Sequence, residues 1–203
     1  MKVITFILAL VLFLMGSTVC GQNKNERKTN MNQCSEIYLA GGCFWGMEHF
    51  LKQINGVMAT EVGFANGKTV HPTYRQVCDE NTGHAETVHV TYNTEVLSLS
   101  FLLELYFKAI DPISINKQGG DTGTQYRTGI YYSNKNDLAV IEQEIKKLQA
   151  QYDEPLAVEV LPLANFYNAE DYHQDYLVKN PSGYCHINPQ LFKMARKANA
   201  NKK

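Results

Sequence analysis

Cys43 stands in the run GGCFWG, Gly41 to Gly46, between two glycines and two aromatic residues. Met47, Phe50, Leu51 and Ile54 follow at i, i+3, i+4 and i+7 spacing, so a helix should open directly after the cysteine. Unpaired N–H groups and the dipole at a helix start favour a thiolate, which predicts a lowered thiol pKa. Gly41, Gly42 and Gly46 permit a tight turn and close approach of another molecule. Phe44 and Trp45, the only tryptophan, place a rigid apolar surface beside the sulfur. Such a thiol suits an apolar substrate with an electrophilic atom, and it needs a proton source for the leaving group.

The segment TGHAETVHV offers that source in Glu86. If strand alternation turns it inward, an apolar pocket raises its pKa and makes it an acid near neutral pH; if outward, it is an ordinary exposed glutamate. Tyr74 in HPTYRQV and Tyr126 in GTQYRTG are phenols in polar, turn-rich surroundings. They can donate hydrogen bonds to an oxygen gaining charge, or be half-buried tyrosines like others of the chain's 12. Asp121 in GGDTGTQYR can orient a phenol or cap a turn. Cys185, in the glycine- and proline-marked KNPSGYCHINP, suits a resolving thiol, or a structural disulfide to Cys78 or Cys34.

Other chemistries fit poorly. His84 and Glu86 spell H-x-E, but the P-C-x-x-C that a zinc deaminase needs is absent. A metal held by His84, Glu86 and His89 is disfavoured because alternation puts Glu86 and His89 on opposite sheet faces. No C-x-x-C pair occurs, which removes zinc-ribbon and thioredoxin-like readings. A net charge of -1 gives no electrostatic reason to expect nucleic acid as a partner.

The elements that must position these residues read as β, α, β, β, α, β, α, β. Strands are expected in EIYLAGG, VMATEVGFANG (closed by an Asn66-Gly67 turn), ETVHVTYN, QYRTGIYYS and LAVEVLPL. Helices are expected after Cys43, over Ser98 to Asp111 with a serine cap and a Pro112 stop, and in NKNDLAVIEQEIKKLQAQYD with Asn134 as cap. The fold class is therefore α+β, a two-layer sandwich of ferredoxin-like character with helices on a single sheet. With 203 residues, 44% hydrophobic and 19% charged, one domain with a substantial core is expected, as a monomer.

Lys2 precedes VITFILALVLFLMG, an apolar run short for a membrane span and ended by small residues. Residues 1–20 thus read as a signal peptide, 21–35 as a polar linker, 36–189 as the catalytic domain and 190–203 as a solvated tail carrying Lys193, Arg196, Lys197, Lys202 and Lys203. Export to the periplasm or cell envelope is expected. Cys20 stands where a lipoprotein carries its lipidated cysteine, although Val19 fits that pattern poorly; lipid anchoring to a membrane and free secretion both stay open.

Together the blocks GGCFWG, PTYRQVCDENTGHAE, GGDTGTQYRTGIYY and AEDYHQDYLVKNPSGYC resemble the peptide methionine sulfoxide reductase A family over Tyr38 to Asn188. The resemblance implies a ferredoxin-like sandwich with a long irregular C-terminal segment. It also implies Cys43 as nucleophile, Phe44 and Trp45 as the pocket for the substrate methyl, Glu86 as acid, and Tyr74, Tyr126 and Asp121 as supports for binding and oxygen activation. Cys185 matches the recycling cysteine, and a Cys43–Cys185 disulfide reduced by a thioredoxin-like dithiol is implied. The expected substrates are free methionine S-sulfoxide and oxidised proteins or peptides that carry it, with no metal or organic cofactor. Because Cys185 is the last cysteine, recycling should stop at one disulfide, unlike family members with a second recycling thiol.

Two other classes make opposing expectations. A cysteine hydrolase or acyltransferase, with Cys43 activated by His84, His89 or His173, requires a histidine within hydrogen-bond reach of the sulfur. A noncatalytic exported binding module held by two disulfides requires that no thiol be free.

Overall fold

The computed structural model describes residues 33–198. The expected signal peptide, Cys20, residues 21–32 of the linker, and Lys202 and Lys203 of the tail lie outside the described residues. Strand β1 (Cys34–Gly41) enters helix α1 (Phe44–Leu51), which returns to β2 (Val57–Ala65). A short helix α2 (Tyr74–Asp79) precedes β3 (Ala85–Asn93), and α3 (Leu99–Ala109) follows it. A ribbon of β4 (Lys117–Gln118) and β5 (Asp121–Thr122) leads to β6 (Thr128–Tyr132), α4 (Leu138–Gln149) and β7 (Glu159–Pro162). Then come β8 (Phe166–Asn168), α5 (Tyr176–Lys179) and α6 (Pro189–Lys197).

The main sheet has the order β7-β6-β1-β3-β2-β8. Its central four strands are two interleaved split β-α-β units, β1-α1-β2 around β3 and β3-α3-β6 around β1, with antiparallel neighbours throughout. This is the ferredoxin-like arrangement, widened by β7 parallel to β6 and by β8 antiparallel to β2. Period-2 alternation sends Leu39, Val62, Val88, Val90 and Ile130 into one core with Met47, Phe50 and Leu51 of α1 and Leu102, Leu103 and Tyr106 of α3. Tyr38, Ala40, Ala65, Ala85 and Tyr131 form a smaller cluster, covered by Leu163 and Phe166. Ser98 caps α3 by accepting from Phe101 N.

Three local expectations need correction. Asn66 does take the left-handed conformation (φ 53°), yet no tight hairpin follows. Residues 66–84 loop out, α2 among them, before Ala85 pairs back onto Ala65. The Asn134 side chain accepts from Asn136 N and caps a single 3-10 turn, from which α4 then starts at Leu138. Nor is the stretch from 190 a solvated tail throughout: α6 begins on an Asn188 cap with Pro189 in its first turn and buries Phe192 and Ala195, while Lys193, Arg196 and Lys197 face outward. The basic residues share a helix with an apolar stripe too short to stand out in a charged sequence. The domain also starts slightly earlier than residue 36, since Cys34 pairs with Asn93.

Candidate active site

β1 delivers Cys43 to the start of α1 through Gly42, whose φ of +80° and 2.5 Å approach of a notional Cβ to the Gln118 side chain leave room only for glycine. Cys43 is the cap residue of α1, its carbonyl accepting from Met47 N at 3.4 Å. The N–H groups of Trp45 and Gly46 are directed at its sulfur. The thiol is nonetheless held well above its ordinary value, because burial and the charge of Glu86 outweigh those two donors. The expected helix-start environment is present, but the expected depression of the resting pKa is reversed: Cys43 is only 6% exposed, and desolvation wins.

Glu86 lies on β3 with its side chain on the same face as Val88 and Val90, and is 1% exposed. One carboxyl oxygen, Oε2, accepts from Phe44 N at 3.0 Å. The other, Oε1, is buried and has no hydrogen-bond partner. Burial pushes the carboxyl up to about 8, against the lowering by the Phe44 N–H, and the charge of Asp121 adds to the rise. At neutral pH Glu86 therefore carries a proton. His89, three residues on, faces the other way and bridges Glu36 and Glu61, at 2.9 and 3.1 Å.

Tyr74 opens α2 under a Thr73–Gln76 capping box. Its ring lies 6.2 Å from that of Phe44, and its backbone N–H is fixed by Glu170 Oε1 at 3.0 Å. Tyr126 ends the 3-10 turn Thr124–Tyr126. Burial first, and then the charge of Glu86, drives both phenols well above their ordinary range, so both are neutral donors. Tyr126 also senses the charges of Cys43 and Asp121, which brings all four groups into one site. Asp121 orients a phenol, but it is that of Tyr184. Its buried Oδ2 has no hydrogen-bond partner and faces His186 Nδ1 at 3.9 Å.

Phe44 and Trp45 form one wall. The Trp45 ring stacks on Tyr176 at 3.8 Å, and its Nε1 donates to His173 Nδ1 at 2.9 Å. His173 in turn packs against Phe44 at 5.2 Å and Tyr74 at 4.3 Å. Burial keeps His173 below its ordinary pKa, hence neutral. Sequence reasoning missed Glu170, Tyr176, Tyr184 and His186 and weighed His173 only as a base. The alternation of aromatic and polar side chains in AEDYHQDY was the available signal.

Cys185 lies on the segment between α5 and α6, its Sγ 3.1 Å from where a Cβ on Gly46 would stand. None of the four described cysteines is in a disulfide, so Cys185 is not paired structurally to Cys78 or Cys34. Cys78 is half-buried and hydrogen-bonded to the Tyr74 phenol. The three histidines considered as bases are engaged elsewhere: His84 with Thr69 O at 2.9 Å, His89 with the two glutamates, His173 with Trp45. Neither the hydrolase nor the disulfide-stapled module has its required feature. No group of three or more metal-ligating side chains occurs among the described residues.

The family model for peptide methionine sulfoxide reductase matches residues 35–203. The peptide methionine sulfoxide reductase MsrA of Lachnoclostridium phytofermentans is 56% identical over 162 residues, which is 80% of this chain and 98% of that protein. Among solved structures, reduced Mxr1 from Saccharomyces cerevisiae matches with a TM-score of 0.73 at 37% identity, over 76% of this chain and 90% of its own. Methionine sulfoxide reductase A of Corynebacterium diphtheriae matches with a TM-score of 0.68 at 40% identity, over 75% and 78%. The chain belongs to the peptide methionine sulfoxide reductase family.

Proposed function

We propose that this protein reduces free and peptidyl methionine S-sulfoxide to methionine with Cys43 as nucleophile and Glu86 as acid. One observation carries the assignment of roles: a buried, protonated carboxyl with one oxygen pinned by Phe44 N–H and the other unpartnered, beside a buried thiol and two neutral phenols. The substrate methyl rests on Phe44 and Trp45, and its oxygen receives hydrogen bonds from Glu86, Tyr74 and Tyr126. Cys43 Sγ bonds to the sulfoxide sulfur while Glu86 protonates the oxygen. That hydroxyl passes to Cys43 as the S–S bond breaks, and the thiol's proton replaces the one Glu86 gave. The sulfoxide is reduced to thioether by two electrons and Cys43 is oxidised to sulfenic acid.

Cys185 then displaces the hydroxyl as water and forms the Cys43–Cys185 disulfide, which a thioredoxin-like dithiol reduces. Support for this step is the free Cys185 thiol packed against Gly46, one turn from Cys43. Oxidised proteins at an exported location are the substrates we assign, in keeping with the apolar run after Lys2. The test is turnover of methionine S-sulfoxide with dithiothreitol, wild type against Cys43→Ser. Loss of turnover in the variant is expected; retention would remove Cys43 from the mechanism.

A further inference from the structure

The outer side of the aromatic wall is held by ring stacking on Tyr176 and by the hydrogen bond to His173. Tyr176 opens α5 and His173 lies just before it, so the stretch between β8 and α5 must be fixed against β2 and α1 if the two are to hold Trp45. Two contacts do. The Gln174 carboxamide completes the edge of β2, accepting from Val62 N and donating to Val62 O, both at 2.9 Å, so that it takes the place of a strand residue beyond β8. The next residue, Asp175, donates its backbone N–H to Glu48 Oε2 at 2.9 Å.

Glu48 is 2% exposed and sits on α1, three residues after Trp45. Its Oε1 accepts from Thr60 Oγ1 at 3.0 Å and pairs with Lys52 Nζ at 3.3 Å. Lys52 also pairs with the Asp175 carboxylate. Asp175 itself is left-handed (φ 57°), which turns the chain into α5 with the Tyr176 ring over Trp45. A buried carboxyl carries a large desolvation penalty, and Glu48 meets it with contacts that join Thr60 of β2, Lys52 at the end of α1 and the Asp175 turn, which suits a positional task.

We propose that Glu48 is a positioning residue for substrate binding: with Lys52 as strap, it clamps the Asp175 turn onto α1 and so holds Tyr176 and His173 against Trp45. Glu48 touches neither Cys43 nor Glu86 in this arrangement; it acts through the wall. Its assignment to methionine sulfoxide binding rests on the function proposed above. The clamp itself does not.

The single tryptophan makes the test direct, since selectively excited emission reports Trp45 alone. Glu48→Ala should red-shift that emission and expose it to acrylamide. It should also raise KM for a methionine sulfoxide peptide roughly tenfold and leave the first-turnover rate at saturation within about twofold. Tyr176→Ala should do the same, and the double variant should be no worse than Tyr176→Ala alone, because both changes release one wall. If Glu48→Ala does not fold, Glu48→Gln, which keeps an acceptor for Asp175 N but loses the Lys52 pair, should give smaller shifts of the same kind. Unchanged Trp45 emission and KM, or KM effects that multiply in the double variant, would overturn the clamp. A wild-type protein that reduces no sulfoxide would overturn the functional reading, while the emission arm still decides the clamp.

Discussion

Replacing Glu86 with glutamine separates what its proton does for the reaction from what its burial does to stability. The folded chain keeps the Glu86 proton up to about pH 8, whereas an unfolded chain releases it near the ordinary value of 4.5. Between those values the folded state binds more protons than the unfolded one, so wild-type stability falls as pH rises. Each pH unit in that window is worth about 1.4 kcal/mol, which makes the accumulated cost of an ionisable Glu86 about 3 kcal/mol at pH 7. Glutamine fills the same space, can accept from Phe44 N, and never ionises. The stability difference between Glu86→Gln and wild type should therefore be flat below pH 4, grow in favour of the variant through pH 7, and level off above about 8. Denaturant unfolding at four or five pH values measures it. Activity should move the opposite way: the wild-type first-turnover rate should fall about tenfold per pH unit above 8, and the variant should be slower by about 100- to 10,000-fold with no such fall. A variant with near-wild-type rates, or one that retains the alkaline fall, would refute Glu86 as the acid. A stability difference that does not widen with pH would refute its raised pKa.

Cys185→Ser should complete one turnover at the wild-type rate and then stop with a thioredoxin-like reductant; a slowed first turnover, seen by stoichiometric methionine release, would give Cys185 a role before recycling. Gly46→Ala places a Cβ 3.1 Å from Cys185 Sγ and 3.3 Å from His186 Nδ1, so it should slow disulfide formation several-fold and lengthen the sulfenic acid's lifetime, measured by dimedone trapping. Reduced Cys43 should alkylate more slowly than an exposed thiol at pH 8 to 9, and Glu86→Gln should accelerate it there by removing a neighbouring anion, as rates with iodoacetamide will show. Fatty-acid labelling should be lost in Cys20→Ala if the chain is lipid-anchored, and unchanged labelling would exclude that cysteine as the lipid site.

Long periodic segments made the fold legible. The i, i+3, i+4, i+7 stripe after Cys43 and the alternation in ETVHVTYN each identify an element, whereas the direction of Glu86, at the strand's entry, stayed open in the sequence and is decided by its burial in the fold. Residues 66–84 and 163–188 were illegible because their order comes from distant partners. Lys68 N finds Thr82 O at 2.8 Å, Ala164 N finds Asn66 Oδ1 at 2.8 Å, and Gln174 finds Val62. No local propensity encodes such bonds. The same reason hid Tyr176 and His186, whose neighbours on the glycine turn and α1 lie more than 100 residues away.

The raised pKa of Cys43 gives the helix start a particular task in the mechanism proposed above. In that mechanism, two groups that both hold their protons at rest would contain everything the oxygen transfer needs, the thiol's hydrogen ending on Glu86 and the carboxyl's hydrogen on the sulfenic oxygen. No proton has to cross from solvent. A sulfoxide bound as proposed would bring its positive sulfur to Cys43 and its negative oxygen to Glu86 and the phenols, and that dipole would supply what burial withholds. The Trp45 and Gly46 N–H groups would then stabilise charge as it develops on Cys43 Sγ during attack, when it is greatest, rather than on a resting thiolate. A resting thiol is also a poor target for stray oxidants, which react with the thiolate. On the proposed mechanism, burial of Cys43 would thus restrict its nucleophilicity to the moment when an S–O dipole lies against Phe44 and Trp45.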